Sequence, residues 1–161
     1  MNKSHEHYMD QALELAQKAF DAGEVPIGAV VVDQDGNVIG SSFNSVECDL
    51  TQTAHAELKA LQKASQNKKN WRLVDCTLYV TLEPCSMCFS ASKLSRIKAL
   101  YYAASSPLFG FRLDKDCFLS LYNNDDLFIK GGIREDESKQ ILKQFFKKKR
   151  NKGDQNKGRT K

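Results

Sequence analysis

Two short motifs, separated by 26 residues, constrain the fold of this chain more than any other feature. They read His55-Ala56-Glu57 and Pro84-Cys85-Ser86-Met87-Cys88. Their imidazole and two thiols are zinc ligands, and a carboxylate accompanies them. A structural zinc site has four protein ligands, whereas a catalytic site has three and keeps a position for water. The motifs therefore predict that two distant segments meet in a hydrolytic zinc site formed by His55, Cys85 and Cys88.

The other histidines and cysteines offer no evident fourth ligand. His5 and His7 fall in a predicted first helix, without metal-type spacing to the cysteine pair. The chain has five cysteines, and the three outside the motif are Cys48, Cys76 and Cys117. We expect these three to be free thiols or small core residues. The odd number and the metal motif favour a reducing cytoplasm.

The spacing of the second motif suits the start of a helix. Cys85 and Cys88 are neighbours on one helical turn, and Pro84 is tolerated in a first turn because its missing N–H has no partner there. A helix N-terminus lowers the pKa of a thiol and favours the thiolate that zinc binds. Taken alone, the pair also fits a redox site or half of a structural zinc site.

Glu57 is the candidate proton carrier. Thr53 is predicted to cap a helix beginning at Ala54, and the reciprocal glutamate of a capping box would then stand at position 56, not 57. A carboxylate near a metal ligand can serve a metal-bound water as general base and acid, although an ordinary surface glutamate is the alternative. Positions two apart are about 200° apart around a helix, so His55 and Glu57 converge only if the helix end faces the metal.

Hydrophobic spacing predicts alternating helices and strands. Helices are expected at 8–22, 54–65, from the cysteine pair to Leu94, and at 135–149, and strands at 27–32, 38–42, 77–82, 99–103 and 127–130. Asp35-Gly36 predicts a hairpin between the first two strands. This order predicts an α/β fold, a mixed central sheet of about five strands with helices on both faces. We expect one domain over 1–150 and a basic, disordered tail over 151–161.

The two motifs together resemble the signature of the zinc-dependent cytidine and deoxycytidylate deaminase superfamily. Flanking segments are similar to its bacterial tRNA-specific adenosine deaminases, namely 24–30, Asn44, 53–57, 77–85, 95–97 and Phe145-Phe146. The similarity covers roughly residues 5–150. It implies a three-layer α/β/α fold, one Zn²⁺ per chain, and a homodimer.

The resemblance also implies an activity and the residues that serve it. Adenosine at the wobble position of tRNA, expected to be tRNA-Arg, would become inosine through a zinc-activated water with Glu57 as proton shuttle. The implied substrate contacts with the anticodon arm are Asn44, Ala56 through its backbone, Phe145, Phe146 and Arg150. Cys85 is also expected to lend a backbone group to the pocket.

Charge is concentrated at the C-terminal end. Residues 143–161 carry nine Lys or Arg and one Asp, whereas residues 1–142 carry fifteen Lys or Arg and nineteen acids. Such a cationic segment can bind RNA phosphates in a salt-sensitive way, and the alternative is a solvated tail that aids solubility. No apolar run approaches 18 residues, so we expect no membrane span, and the charged N-terminal region is unlike a secretory signal.

One loop departs from the family pattern. After the 99–103 strand these deaminases usually carry an Arg-Asp pair, where this chain has Ser105-Ser106 followed by an apolar stretch. Phe109 and Phe111 are candidates for stacking on bases, or for the core or a dimer interface. Two other functions stay open: a deaminase of a free base or nucleotide such as guanine, cytosine or dCMP, and a non-catalytic, zinc-stabilised RNA-binding module.

Overall fold

The computed structural model describes residues 3–113 and 127–157, with side chains to residue 151. The helices are α1 (His5–Asp21), α2 (Val46–Asp49), α3 (Ala56–Lys68), α4 (Ser86–Leu94) and α5 (Glu135–Lys157), with a 3-10 turn at Phe111–Leu113. The strands are β1 (Gly28–Val32), β2 (Val38–Phe43), β3 (Thr77–Leu82), β4 (Ala99–Ala104) and β5 (Phe128–Gly131).

The five strands form one mixed sheet in the order β2-β1-β3-β4-β5. β1 is antiparallel to both β2 and β3, whereas β3, β4 and β5 are parallel. The carboxyl ends of β2, β3 and β4 therefore lie at the same edge of the sheet. In open α/β sheets, ligands bind outside such carboxyl ends.

Helices cover both faces of the sheet, as the sequence predicts. Side chains of β1 pack on both faces of the sheet. Val31 lies in a buried cluster with Ala60 of α3, and Val30 lies in another with Ala12 of α1. Alternate side chains of a strand point to opposite faces. α4 joins the α3 side through Phe89, and α5 lies against β4 and α1. This is the predicted three-layer α/β/α fold.

A glycine lets α3 approach the sheet closely. A Cβ atom at Gly40 of β2 would lie 2.3 Å from the carbonyl oxygen of Ala60. Real Cβ atoms do not approach backbone oxygens so closely, and Ala60 and Ala64, the helix residues that face this glycine, are also small. The backbones of β2 and α3 consequently pack together, which fixes the position of the N-terminus of α3.

The helix boundaries differ from the predictions in a few places. α1 begins at His5, three residues early, because the Ser4 hydroxyl accepts a hydrogen bond from the His7 N–H and caps the helix. α5 continues to Lys157, so the predicted domain boundary at residue 150 falls inside a helix. The predicted disorder of 151–161 stays a prediction, and the side chains of 152–161 lie outside the described residues.

Two of the three cysteines outside the motif lie in the described parts of the chain. Cys48 is an exposed free thiol and Cys76 is buried in the core, in agreement with the prediction. Cys117 lies outside the described residues. None of the helices in the described ranges combines the length and apolarity needed to cross a bilayer.

Candidate active site

Most of the predicted site residues meet at the carboxyl edge of the sheet, in or beside a cavity of about 1110 Å³. Its walls are the segment between α1 and β1, the segments that follow β2, β3 and β4, and one face of α5. His55, Glu57 and Cys85 all line it. The cavity thus joins both motifs to the C-terminal helix.

One imidazole and two thiols form a compact cluster at this site. The Nδ1 atom of His55 lies 3.7 Å from the Sγ atom of Cys85 and 3.3 Å from that of Cys88. One ligand atom from each of the three lies within 4.8 Å of the others. Tetrahedral zinc with ordinary bond lengths separates nitrogen and sulfur ligands by about 3.6 Å. The donor set and its spacing therefore fit a zinc ion.

The ligands stand at helix N-caps, which corrects two predicted helix starts. His55 is the N-cap of α3, with extended φ and ψ of −70° and 145°, so α3 begins at Ala56 and not at Ala54. Thr53 is not the cap, and its hydroxyl is within hydrogen-bonding distance of that of Thr51. Cys85 is likewise the N-cap of α4, which places Pro84 before the helix instead of in its first turn. The extended conformation turns each ligand away from its helix toward the other.

The three ligand groups share protons. Hydrogen bonding with Cys88 lowers the pKa of the Cys85 thiol to about 4, and His55 contributes to that shift. The bond to Cys85 in turn raises the pKa of Cys88 and that of His55. Zinc binds the thiolate and the neutral imidazole, so binding releases these protons.

Glu57 is buried beside the cluster, unlike an ordinary surface glutamate. The residue is only 4% exposed, and burial raises the pKa of its carboxyl to about 7. Among the described side chains, Glu57 Oε2 is a buried oxygen without a hydrogen-bond partner. As predicted, the end of α3 and not its side faces the ligands. A carboxyl in this environment suits proton transfer near neutral pH.

The predicted substrate residues from the first half of the chain occupy different places. Asn44 directly follows β2, is buried and lines the cavity, and its side-chain amide donates to the carbonyl of Val25 at 3.4 Å. Ala56 packs its methyl group in the core, and the cavity lining described here does not include it.

The predicted residues of α5 differ in their position relative to the cavity. Phe145 and Phe146 both line the cavity, the first buried and the second 46% exposed. Phe145 is fixed by an edge contact with Phe20 of α1, with ring centroids 5.8 Å apart. Arg150 is exposed one turn further along and is not part of the described lining.

Several lining residues were not singled out by the sequence analysis. Glu24 is buried and accepts hydrogen bonds from the backbone N–H groups of Glu47 and Cys48, which fixes α2 at the cavity edge. Lys139 and Lys149 place cations on the α5 wall. In the sequence, positions 139, 142, 146 and 149 recur at helical spacing, which indicates that their side chains share one face of the helix.

The structure separates the two phenylalanines of the atypical loop. Phe111 is buried and stacks on Phe89, with ring centroids 4.0 Å apart. Phe109 is 75% exposed and lines the cavity together with Leu108. Phe111 is therefore a core residue, and Phe109 is the one available to a bound molecule.

A family model and several known proteins are similar to this chain. The family model described as the cytidine and deoxycytidylate deaminase zinc-binding region matches residues 2–104. The tRNA-specific adenosine deaminase of Buchnera aphidicola subsp. Schizaphis graminum is 47% identical over 145 residues, covering 89% of this chain and 95% of that protein.

Two solved structures are also similar. One, from a study of A-to-I editing by tRNA:A34 deaminases at the wobble position, has a TM-score of 0.76 and 40% identity, covering 84% of this chain and 99% of the other. The guanine deaminase of Bacillus subtilis has a TM-score of 0.62 and 40% identity over 64% of this chain and 66% of its own. The chain therefore belongs to the zinc-binding cytidine and deoxycytidylate deaminase family, among its tRNA-specific adenosine deaminases, and is a hydrolase.

Proposed function

We propose that this enzyme converts adenosine to inosine at the wobble position of a tRNA, with tRNA-Arg as the expected substrate. The observation that carries the proposal is the buried carboxyl of Glu57 beside His55, Cys85 and Cys88 in an open cavity. A non-catalytic zinc module has no need to bury a carboxyl beside the three ligands with one oxygen left without a hydrogen-bond partner. The buried carboxyl thus favours catalysis over a purely structural zinc site.

One zinc ion per chain would be held by His55 Nδ1 and by the Sγ atoms of Cys85 and Cys88. The separations between these atoms support this assignment, and the matched family region is described as zinc-binding. When bound, zinc with three protein ligands lowers the pKa of a water toward about 7, which provides a nucleophile at neutral pH.

Glu57 carries the protons of the reaction. It takes one proton from the attacking water to N1 of adenine, and a second from the same oxygen to the amine that leaves C6. Adenosine and water thereby give inosine and ammonia, and the carboxyl ends in its initial state. Burial raises the pKa of this carboxyl, which helps it to hold and release a proton near neutral pH.

The residues around the ligand cluster suit a nucleotide within a longer strand. We assign Asn44, which is buried and lines the cavity, to contacting the reacting base. The backbones of Ala56 and Cys85 are assigned to the same pocket because the deaminase resemblance implies it. The cavity, at about 1110 Å³, exceeds the usual range of about 300–1,000 Å³ for small-molecule pockets. Phe146 offers an exposed aromatic ring on its rim, and single-stranded bases stack on such rings.

The cations of α5 suit the RNA backbone. Lys149 lines the cavity, and Lys139, which also lines it, is paired with Glu135 at 2.6 Å. Arg150 follows on the same helix, which extends to Lys157. Phosphate contacts of this kind are independent of sequence and weaken with salt. We assign Phe145 to fixing this wall, and Phe146 and Arg150 to contacting the anticodon arm.

A deaminase of a free base is the second candidate, because the guanine deaminase of Bacillus subtilis is also 40% identical over part of the chain. The test is to incubate the purified protein with a tRNA-Arg anticodon stem-loop bearing adenosine at the wobble position, and separately with guanine, cytosine, dCMP and adenosine. Inosine formed in the RNA alone supports the proposal. Turnover of a free base or nucleotide alone supports the second candidate, and zinc binding without any turnover supports the RNA-binding module.

The homodimer implied by the resemblance is a further part of the proposal. The exposed residues Met87 and Leu94 of α4 provide apolar surface near the metal ligands that a second copy would cover. Sedimentation equilibrium checks this: a species of twice the chain mass is expected. A monomer at micromolar concentration would contradict the assembly without affecting the chemistry.

A further inference from the structure

A buried carboxylate connects the metal-ligand turn to the atypical loop. Glu83 stands two residues before Cys85, and its side chain is only 1% exposed. It accepts hydrogen bonds from the backbone N–H of Ser106 at 2.9 Å and from Arg112 at 2.9 Å through Nε and 3.1 Å through Nη2. The Arg112 backbone N–H, at 3.4 Å, adds a fourth donor.

This arrangement is specific to an arginine. Two guanidinium nitrogens bind the two carboxylate oxygens, Nε to Oε1 and Nη2 to Oε2. Such a bidentate pair fixes orientation as well as distance, which a lysine ammonium does not do. A buried carboxylate without this partner would lose a charged hydrogen bond in a poorly solvated place. Glu83 and Arg112 therefore hold both ends of the loop in one conformation.

Three further contacts fasten the loop at the same point. A Cβ atom at Gly110 would lie 2.4 Å from the carboxyl carbon of Glu83, so only glycine permits this approach. The Phe111 N–H donates to the Pro84 carbonyl at 2.8 Å. The Phe111 ring stacks on Phe89 of α4, the helix that carries Cys88.

Between these attachments the loop presents apolar side chains to the cavity. Leu108 and Phe109 are 76% and 75% exposed, and both line it. The Phe109 N–H donates to the Ser106 hydroxyl at 3.3 Å, which stiffens the turn. Holding two large apolar residues in solvent beside the site gains nothing for folding, since neither is buried. Their position favours a role in binding, and an aromatic ring beside a deaminase site suits a nucleobase.

We propose that Arg112, acting through Glu83, is a positioning residue that holds Phe109 as the stacking platform for a base adjacent to the reacting adenosine. The inference rests on the proposed function, because it takes a single-stranded RNA as the substrate. It assigns a role to a loop in which this chain departs from the family pattern. The zinc ligands and Glu57 perform the chemistry, and this loop contributes to the affinity for the RNA.

The test is a double-mutant cycle on deamination of the anticodon stem-loop. F109A is expected to raise KM about tenfold, the order of magnitude found when one stacked base loses its aromatic partner, with kcat and zinc content nearly unchanged. R112M is expected to raise KM by a similar factor, and R112K by a smaller one. The double variant F109A/R112M should raise KM no more than the larger of the two single changes, because both remove the same contact. L113A, at the exposed neighbour of Arg112, is the matched control and should leave KM unchanged.

A second arm identifies the stacked base directly. Two stem-loops are prepared, one with an abasic site before the wobble adenosine and one with an abasic site after it. F109A should no longer raise KM for one of these two substrates. Additive effects of F109A and R112M, or an F109A enzyme with wild-type KM, would overturn the inference. If R112M loses zinc or fails to fold, the double-mutant cycle is measured with R112K in its place. A wild-type enzyme inactive on the stem-loop would instead refute the proposed function itself.

Discussion

The Nδ1 atom of His55 lies 3.3 Å from the Sγ atom of Cys88, although 33 residues separate them in the sequence. Both residues belong to first turns or caps of helices whose N-termini meet at one edge of the sheet. Helix N-termini favour anionic ligands and substrates. The architecture thus brings thiolates, a buried carboxyl and two positive helix ends to the place where a polar reaction is proposed.

Loss of either motif thiol is expected to remove zinc. Cys85→Ser and Cys88→Ser each replace a thiolate, a strong zinc ligand, by a hydroxyl that remains protonated. We expect the zinc content, measured by atomic absorption, to fall from near one per chain to a small fraction. Cys48→Ser makes the same change at an exposed thiol and should retain zinc. Full zinc in both motif variants would contradict the ligand assignment.

Replacement of Glu57 is expected to stop turnover without releasing zinc. Glu57→Gln keeps the shape of the side chain but cannot carry a proton, and general acid–base groups contribute about 10²–10⁴-fold to rate. Single-turnover kinetics with the stem-loop should show a loss of at least about a hundredfold at unchanged zinc content. Glu14→Gln, on the exposed side of α1, serves as control. Loss of zinc in the Glu57 variant would make it a ligand and overturn its assigned role.

The α5 cations are expected to determine the salt dependence of RNA binding. Each phosphate contact contributes about 0.7 to the slope of log K against log salt for single strands. Lys149→Gln with Arg150→Gln should weaken binding and reduce the slope by about 1.4, as measured by fluorescence anisotropy. Lys98→Gln, an exposed cation just before β4, should leave the slope unchanged. An unaltered slope in the double variant would mean that these cations are merely solvated.

A methyl group at Gly40 is expected to destabilise the protein and disturb the site. Gly40→Ala places Cβ against the backbone of α3, and overpacking of this kind costs about 1–3 kcal/mol. The melting temperature should fall by several degrees, and the zinc content should fall with it, because α3 carries His55. Ser41→Ala in the same strand should have little effect. A stable Gly40→Ala protein would show that α3 can shift without loss.

Sequence and structure agree best where a pattern depends on local chemistry. The run of apolar residues in β3 predicts its bounds correctly, Thr77–Leu82, and the two motifs predict the ligand cluster. The predicted start of α3 at Ala54 was wrong because it relied on Thr53 as a capping side chain, which is a purely local signal. The N-cap is instead His55, whose extended backbone turns its ring toward cysteines on another element.

Features that depend on tertiary neighbours could not be read from the sequence. The sequence does not distinguish Phe109 from Phe111. Phe111 is a core residue because its ring packs against Phe89 and Tyr102, whereas Phe109 is exposed. The pairing of Glu83 with Arg112 joins residues 29 positions apart, with no periodic pattern to indicate it. Helical spacing groups positions 139, 142, 146 and 149 on one face of α5, but whether that face meets the cavity depends on how α5 packs against the sheet.

The most direct test of the proposed function is the appearance of inosine at the wobble position of tRNA-Arg. Transcripts bearing adenosine there are incubated with the zinc-loaded enzyme and with Glu57→Gln, then digested to nucleosides and quantified by mass spectrometry. We predict nearly complete conversion of that one adenosine by the wild type, none by the variant, and no change at other adenosines. A zinc-loaded wild-type enzyme that leaves the wobble adenosine intact would contradict the proposed function.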